Sequence, residues 1–206
     1  MKMYYSASSP FVRKVMMVAH ELGVADRIER LDSAVHPVRF DASVVAHNPL
    51  GQVPTFFTEH GEVLYDSRVI CEYLDAVHGS GNIFPVAGPA RWRALREQAL
   101  ADGALQAGLL VRYELTVRAP AQHNQDWITG QRRKLVDALA VIDAEVPAQR
   151  LDIGTISLAC LLGYLDFRFP DIDWRSRHPD LVPWMDAFSR RPSFQATKPV
   201  LPRPAA

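Results

Sequence analysis

The loop Asn48-Pro49-Leu50-Gly51-Gln52-Val53-Pro54 runs directly into the β-branched and aromatic segment Thr55-Phe56-Phe57-Thr58. Asn-Pro favours the start of a turn, and proline suits a first strand position because it cannot donate to a β ladder. If the Val53–Pro54 bond is cis, the N–H and C=O of Val53 point outward, and an extended peptide can pair with them by strand addition. Only about 5–6% of such bonds are cis in folded proteins, so these residues alone leave an ordinary trans proline open.

The segments around this loop alternate between strand and helix patterns. Residues 1–5 read as a strand, Ser8-Ser9-Pro10-Phe11 opens a helix that Gly23 closes, and 27–31 suits a second strand. Residues 37–47 indicate a short or irregular helix. After the loop come the strand that follows Pro54, a strand over 63–65 and a helix capped by Asp66-Ser67. The predicted order is β-α-β-α-β-β-α.

A Gly- and Pro-rich break divides the chain. We predict a first domain over residues 1–79, a linker over 80–89 and an all-helical domain over 90–206. Helical periodicity predicts helices over 91–117, 126–145, 153–167 and 181–190. The tail with Pro199, Pro202 and Pro204 is expected to be extended.

Composition excludes several classes of function. The 206 residues include 23 Lys and Arg and 23 Asp and Glu, so the formal net charge of +0 gives no footprint for nucleic acid or for an anionic membrane. No apolar run approaches the roughly 18 residues of a membrane span, and the start lacks the apolar core of a signal peptide. We therefore expect a cytosolic (cytoplasmic) protein with no nucleic-acid or membrane partner.

The residues that usually bind metals are scattered. Cys71 and Cys160 lie far apart in apolar helical patterns, and the seven histidines form no metal-ligand spacing. Buried free thiols and packing or surface histidines explain them, so we expect no metal site and no disulfide.

Four segments carry a shared pattern: Ser9-Pro10-Phe11-Val12-Arg13-Lys14, the loop 48–54, the helix start 66–74, and residues 156–168. Together they resemble the glutathione S-transferase family. The likeness is closest to a bacterial subgroup whose first helix begins Ser-Pro-Phe, with an active-site serine like that of the plant tau class. The resemblance implies a thioredoxin-like α/β N-terminal domain followed by an all-α C-terminal domain.

The resemblance also implies a binding site for glutathione in the first domain. The Val53–Pro54 bond would be cis, with Val53 paired to the cysteinyl backbone of glutathione, and Asp66 and Ser67 would hold its γ-glutamyl end. The simpler alternative is that Asp66 and Ser67 only cap a helix. Gln52 stands where many relatives carry lysine, so its contact to the glycyl carboxylate would be a weaker, neutral hydrogen bond.

Ser9 matches the serine that activates the thiol of glutathione in tau-like enzymes. The competing interpretation is a plain N-cap, and Ser8, Ser6 and Tyr5 are rival hydroxyls nearby. Serine rather than cysteine before Pro10 argues against the thiol-transferring branches of the family.

The resemblance extends into the helical domain. Asp102 would approach the glutathione ammonium across a dimer interface, although an exposed helix acid is the favoured alternative. Phe11, Leu109, Tyr113 and Tyr164 are candidates for an acceptor pocket, or simply for core. The cap of a helix in the second domain often reads Ser/Thr-x-x-Asp. In this sequence Asp152 and Thr155 exchange the two positions, and we still expect them to cap the helix.

The resulting hypothesis is a homodimeric, detoxifying glutathione S-transferase that uses glutathione as co-substrate and a hydrophobic electrophile as partner. A glutathione-dependent isomerase, dehalogenase or peroxidase on the same site is an alternative. A non-catalytic glutathione- or ligand-binding protein of the same fold is another.

Overall fold

The computed structural model describes residues 1–79 and 81–200. Its contacts divide the chain into two compact units. The first comprises Met1–Arg91 and the segment from Arg191 onward, and the second comprises Trp92–Arg190.

The first unit is a four-stranded mixed sheet with helices. Its elements are β1 (Lys2–Tyr4), α1 (Pro10–Glu21), β2 (Glu29–Leu31), α2 (Ala42–Val45), β3 (Thr55–Phe57), β4 (Val63–Leu64) and α3 (Ser67–His78). The strand order is β2-β1-β3-β4, with β1 and β2 parallel and the other pairs antiparallel. The element order confirms the prediction, and the architecture is the thioredoxin-like one.

The core of this unit follows from the sequence pattern. Helix α1 starts at Ser9 as N-cap with Pro10 in the first position, and it buries most of its length. Helices α1 and α3 pack against each other, and Val15, Ile70 and Leu74 are fully buried beside the strand residues Met3 and Phe56. Burying each such side chain contributes about 1.5–3 kcal/mol.

The second unit is helical. It contains most of α4 (Gly88–Val117), then α5 (Gln125–Ala144), α6 (Ile153–Arg168), α7 (Trp174–Arg177) and α8 (Leu181–Ser189). Helix α6 is buried from Ile153 to Leu165, which marks it as the centre of this unit. Asp152 and Thr155 form a reciprocal capping box at its start, so the exchanged cap does function as a cap.

The last described helix, α9 (Pro192–Ala196), packs against α1. Arg191 and Ser193 both donate hydrogen bonds to the Glu21 carboxylate, at 2.8 and 2.5 Å. The segment that begins at Arg191 therefore groups with the first unit, although it lies within the range 90–206 expected to be helical domain. The boundaries at 79 and 90 stay a prediction.

The helix and strand bounds differ from expectation in several places. Helices α7 and α9 are not in the predicted set, α2 spans only four residues of the expected 37–47, and α4 begins at Gly88 rather than at 91. Pro202 and Pro204 of the expected extended tail lie outside the described residues. Within residues 1–79 and 81–200, no helix is long and apolar enough to cross a membrane, and no group of His, Cys, Asp and Glu side chains could hold a metal ion.

Candidate functional site

The strand register brings three loops to one edge of the sheet. Tyr4 at the end of β1 pairs with Thr55 at the start of β3, and Leu64 at the end of β4 pairs with Phe56. The loop before α1, the loop that ends at Pro54 and the start of α3 therefore open at the same end of the sheet. Five predicted glutathione contacts and Ser9 lie on these three segments.

The loop before β3 presents the backbone of Val53. The Val53–Pro54 bond is cis, as the resemblance implied. No residue that the structure describes makes a hydrogen bond to the N–H or C=O of Val53, and its side chain is partly exposed. A donor and an acceptor on one residue match what an extended peptide needs to form a single β bridge.

Asn48 and Thr55 hold this loop in place, a role that sequence reasoning missed. The buried Asn48 amide donates to Gln52 O at 3.2 Å and to Thr55 Oγ1 at 2.9 Å, while its Oδ1 accepts from Leu50 N at 3.1 Å. Thr55 Oγ1 donates onward to Gln52 O at 2.7 Å. The signal in the sequence was Asn48 itself, since asparagine commonly bonds to the backbone two residues on.

Gln52 lies in the same loop with an exposed side chain. Its main-chain carbonyl accepts hydrogen bonds from Asn48 and Thr55, whereas its side-chain amide is open to solvent. The amide is therefore able to reach a ligand beside Val53 as a neutral donor.

The start of α3 carries Asp66 and Ser67. Asp66 is the N-cap and accepts from Arg68 N at 2.9 Å and from the Arg68 guanidinium at 3.0 Å. Ser67 is buried, and its hydroxyl makes no hydrogen bond to any residue that the structure describes. Asp66 does cap the helix, and the Ser67 hydroxyl is still available to a ligand.

Charges around Asp66 keep it ionised. Partial burial alone would raise the pKa of its carboxyl, but the hydrogen bonds and charge of Arg68, together with the charge of Lys14, lower that pKa from its ordinary value. Lys14 is fully buried in α1, with Nζ 5.8 Å from the centre of the Phe11 ring. A fully buried lysine was not predicted, because its position gives no sign of burial in a single sequence. The site thus offers a carboxylate to an ammonium group at neutral pH.

Ser9 lies at the N-terminus of α1 and is partly buried. Its oxygen accepts the cap hydrogen bond from Val12 N at 3.3 Å, so the plain N-cap interpretation describes one of its interactions. Among the described residues nothing accepts from the Ser9 hydroxyl, so its hydrogen is free to be donated.

The rival hydroxyls are engaged differently. Ser6 Oγ and Ser8 Oγ lie 3.4 Å apart, within reach of a weak mutual hydrogen bond. The Tyr5 ring packs under Arg30, whose guanidinium carbon is 4.8 Å from the ring centre. Among these four hydroxyls, that of Ser9 is the one that combines a free hydrogen with a helix N-terminus.

The candidates from the helical unit have mixed surroundings. Asp102 on α4 is 8% exposed, so the exposed-acid alternative is wrong. Leu109 and Tyr113 are partly exposed, while Tyr164 on α6 is 2% exposed. Phe11, the fourth pocket candidate, is partly exposed at the start of α1 in the first unit.

A groove of about 200 Å³ lies wholly within the second unit. The Arg96–Glu145 ion pair, 2.7 Å long, belongs to its rim. It contains none of the predicted site residues, so its size alone does not make it the site. Its lining residues are Arg96, Glu97, Leu100, Val141, Ile142, Glu145, Pro147 and Leu158.

Comparison with known proteins agrees with this geometry. Residues 8–77 match the family model for the glutathione S-transferase N-terminal domain, and residues 125–187 match the model for its C-terminal domain. The uncharacterized GST-like protein YibF of Escherichia coli (strain K12) is 34% identical over 205 residues, which cover 97% of this chain and 98% of YibF.

Solved structures are similar over the same length. A glutathione transferase family member from Pseudomonas fluorescens Pf-5 with bound glutathione is 48% identical, with a TM-score of 0.94 over 97% of this chain and 99% of its own. A structure of a glutathione transferase family member from the same organism, with bound S-(propanoic acid)-glutathione, is 46% identical, with a TM-score of 0.89 over the same shares of both chains. A glutathione S-transferase from Methylobacillus flagellatus KT with glutathione bound is 33% identical, with a TM-score of 0.85 and again 97% and 99% covered. On these likenesses, and with a thioredoxin-like sheet that leaves Val53 open beside Asp66, this chain belongs to the glutathione S-transferase family.

Proposed function

We propose that this protein binds reduced glutathione in its first unit and transfers the thiolate to a hydrophobic electrophile. The observation that carries the proposal is the open backbone of Val53 beside the cis Pro54, next to the start of α3. An extended cysteinyl residue pairs with such a backbone through two hydrogen bonds. Its thiol then faces the end of the sheet at which the loop before α1 also opens.

The γ-glutamyl end of glutathione fits the start of α3. Its ammonium binds the Asp66 carboxylate, whose lowered pKa keeps it charged. Its carboxylate accepts from the free Ser67 hydroxyl and from backbone N–H groups at the helix N-terminus. Gln52 donates to the glycyl carboxylate as a neutral partner.

The chemical role belongs to Ser9. A free thiol like that of glutathione titrates near about 8.5, and the thiolate is the nucleophile. Each unit by which the pKa falls requires about 1.4 kcal/mol of preference for the charged form. The Ser9 hydroxyl donates to the thiolate while its oxygen still accepts from Val12 N, and the positive end of α1 adds to this stabilisation.

The protein acts as a cytoplasmic homodimer in detoxification, and Asp102 of one subunit approaches the glutathione ammonium held by the other. The acceptor is bound by Phe11, Leu109, Tyr113 and Tyr164. The ligands of the Pseudomonas relative, glutathione and an S-substituted glutathione, support a site that holds both co-substrate and product.

Two measurements on the purified protein test the proposal. A titration with glutathione at neutral pH, followed by thiolate ultraviolet absorbance, should show bound thiolate. Conjugation of glutathione to 1-chloro-2,4-dinitrobenzene should then exceed the uncatalysed rate. Binding without thiolate and without turnover would instead favour a non-catalytic glutathione-binding protein, and absence of binding would overturn the proposal.

A further inference from the structure

Two arginines of the helical unit, Arg112 on α4 and Arg168 on α6, lie close enough for the charge of one to act on the other. Gly108 allows the two helices to approach, because a Cβ at this position would lie 3.5 Å from Tyr164 Cε1. Arg112 follows Gly108 by four residues and Arg168 follows Tyr164 by four, so each arginine shares the face of its helix that makes this contact. The positive charge of Arg112 reaches Arg168 and helps to lower the pKa of that guanidinium, after the larger effect of burial.

Neither guanidinium has a partner of opposite charge among residues 1–79 and 81–200. Arg168 Nε is buried and has no hydrogen-bond partner, although the guanidinium stacks on Phe167 at 4.1 Å. The acids on neighbouring turns are already engaged. Glu114 binds Arg118, Asp166 binds Arg175 and Trp174, and Asp171 binds Arg132.

Two tyrosine hydroxyls share this environment. Burial raises the pKa of Tyr164 to about 12, and it also raises the pKa of Tyr113, while the charge of Arg112 opposes both shifts. Neither hydroxyl makes a hydrogen bond to a described residue. Buried tyrosine hydroxyls usually have a partner, and two neighbouring cations without an anion repel each other.

The position of Arg168 in the last turn of α6 explains only part of this cluster of unpaired guanidinium and hydroxyl groups. A cation there interacts favourably with the helix dipole. That interaction does not account for the second guanidinium, for the buried Nε or for the two unpaired hydroxyls.

We propose that Arg112 and Arg168, together with the hydroxyls of Tyr113 and Tyr164, bind the anionic group of a carboxylate-bearing acceptor. This rests on the proposed function, since Tyr113 and Tyr164 are two of its acceptor-pocket residues. Guanidinium groups bind carboxylates through charge-assisted hydrogen bonds, and an aromatic acceptor body would lie against Leu109. The substrate class is then an apolar electrophile with one carboxylate, rather than a wholly neutral one.

A matched pair of acceptors tests this assignment: 4-chloro-3,5-dinitrobenzoate and its neutral methyl ester. In both, the thiolate sulfur of glutathione bonds to the ring carbon that carries chlorine, chloride leaves with the bonding electrons, and the thiol proton passes to solvent. The ratio of kcat/KM for the carboxylate to kcat/KM for the ester should exceed the ratio of the two uncatalysed rate constants by about tenfold. A tenfold difference corresponds to about 1.4 kcal/mol.

Substitutions locate the effect. Arg112→Gln and Arg168→Gln should each remove most of the preference and leave the ester within about twofold, while the lysine variants should retain part of it. Arg133→Gln is the control, because Arg133 is an exposed α5 arginine already paired with Asp137. An equal preference for both acceptors in the wild type, or an equal loss for both in the arginine variants, would overturn the assignment.

Calorimetric binding of the two product conjugates separates this inference from the proposed function. The carboxylate conjugate should bind more tightly than the ester conjugate to the wild-type protein, and salt should weaken it more. Tighter, salt-sensitive binding of the carboxylate conjugate without any turnover would support the arginine site and overturn the proposed transferase activity. Failure of both conjugates to bind would overturn both proposals, and equal salt-independent binding would overturn the arginine site alone.

Discussion

Asn48 Nδ2 donates a hydrogen bond to Thr55 Oγ1 at 2.9 Å, and this bond joins the start of the loop to the strand that follows it. Both residues are buried, at 1% and 0% exposed. Since Val53 lies between them, the two side chains fix the direction in which its backbone N–H and C=O point. The bond therefore positions the backbone of Val53, which lies at the centre of the proposed glutathione site.

Asn48→Ala tests this positioning role. Loss of the amide leaves the buried Thr55 hydroxyl without its donor and removes the bond to Leu50 N, so we expect unfolding to become easier by about 1–3 kcal/mol. Glutathione affinity should fall as well, because the Val53 backbone is no longer held. Chemical denaturation and calorimetric titration with glutathione measure the two effects.

Asn124→Ala is the matched control for that variant. Asn124 caps α5 in the other unit, where its Oδ1 accepts from Trp127 N at 3.0 Å, and losing the cap costs about 1 kcal/mol. Glutathione affinity should not change in this control. If Asn48→Ala also left the affinity unchanged, Asn48 would be a stabilising residue only.

Substitutions of Ser9 separate its two roles. Ser9→Ala removes both the cap and the hydroxyl, with a cost of about 1 kcal/mol in stability, whereas Ser9→Gly costs only a few tenths because glycine is a good N-cap. Both variants should lose the thiolate absorbance of bound glutathione. Ser8→Ala is the control and should retain it.

A bound thiolate that survives both Ser9→Ala and Ser9→Gly would transfer the activating role to another hydroxyl, with Ser8, Ser6 and Tyr5 as the candidates. Loss of thiolate in Ser9→Ala but not in Ser9→Gly would show that helix capping, not the hydroxyl, was the requirement.

Asp66→Asn isolates the charge of the proposed contact between Asp66 and the γ-glutamyl group. Asparagine caps helices as well as aspartate does, and the exposed pair with Arg68 contributes at most about 1 kcal/mol, so stability should change little. Glutathione affinity should fall about tenfold or more, because a charge-assisted bond to the ammonium becomes a neutral one. Isothermal titration calorimetry measures the change.

The same substitution at another N-cap provides its control. Asp41 caps α2, and its oxygen accepts from Ser43 N at 3.0 Å. Asp41→Asn should leave glutathione affinity unaltered. Equal affinities for the wild type and Asp66→Asn would remove Asp66 from the site.

The parts of the site that were predictable are those carried by local sequence. Pro54 at a strand entry, Asp66-Ser67 before an apolar helix and Ser9 before Pro10 are short patterns, and each lies on the expected segment. The unpredicted parts depend on tertiary contacts. The burial of Lys14 and the approach of Arg112 to Arg168 bring together residues that no local pattern relates.

The fold shows the same division. The seven elements from β1 to α3 follow from hydrophobic periodicity and from proline and glycine positions. Helices α7 and α9 were not predicted, because four or five residues are too few to show a helical period. The attachment of α9 to α1 depends on Arg191 and Glu21, which are 170 residues apart.

The Glu21–Arg191 contact predicts a pH dependence of stability. The hydrogen bond from Arg191 is the largest influence on the Glu21 carboxyl and lowers its pKa below the ordinary 4.5, against the opposing effect of burial. Between the lowered value and 4.5 the unfolded chain binds more protons than the folded one, so stability rises with pH there.

Glu21→Gln should cost about 1.5–3 kcal/mol at neutral pH, the range for hydrogen bonds to charged groups. The difference from wild type should stay constant above pH 4.5 and shrink as pH falls through the lowered pKa. Urea unfolding of both proteins across that range measures it, with the exposed pair variant Arg133→Gln as control. A difference that did not change with pH would mean that the carboxylate charge of Glu21 does not hold α9 against α1.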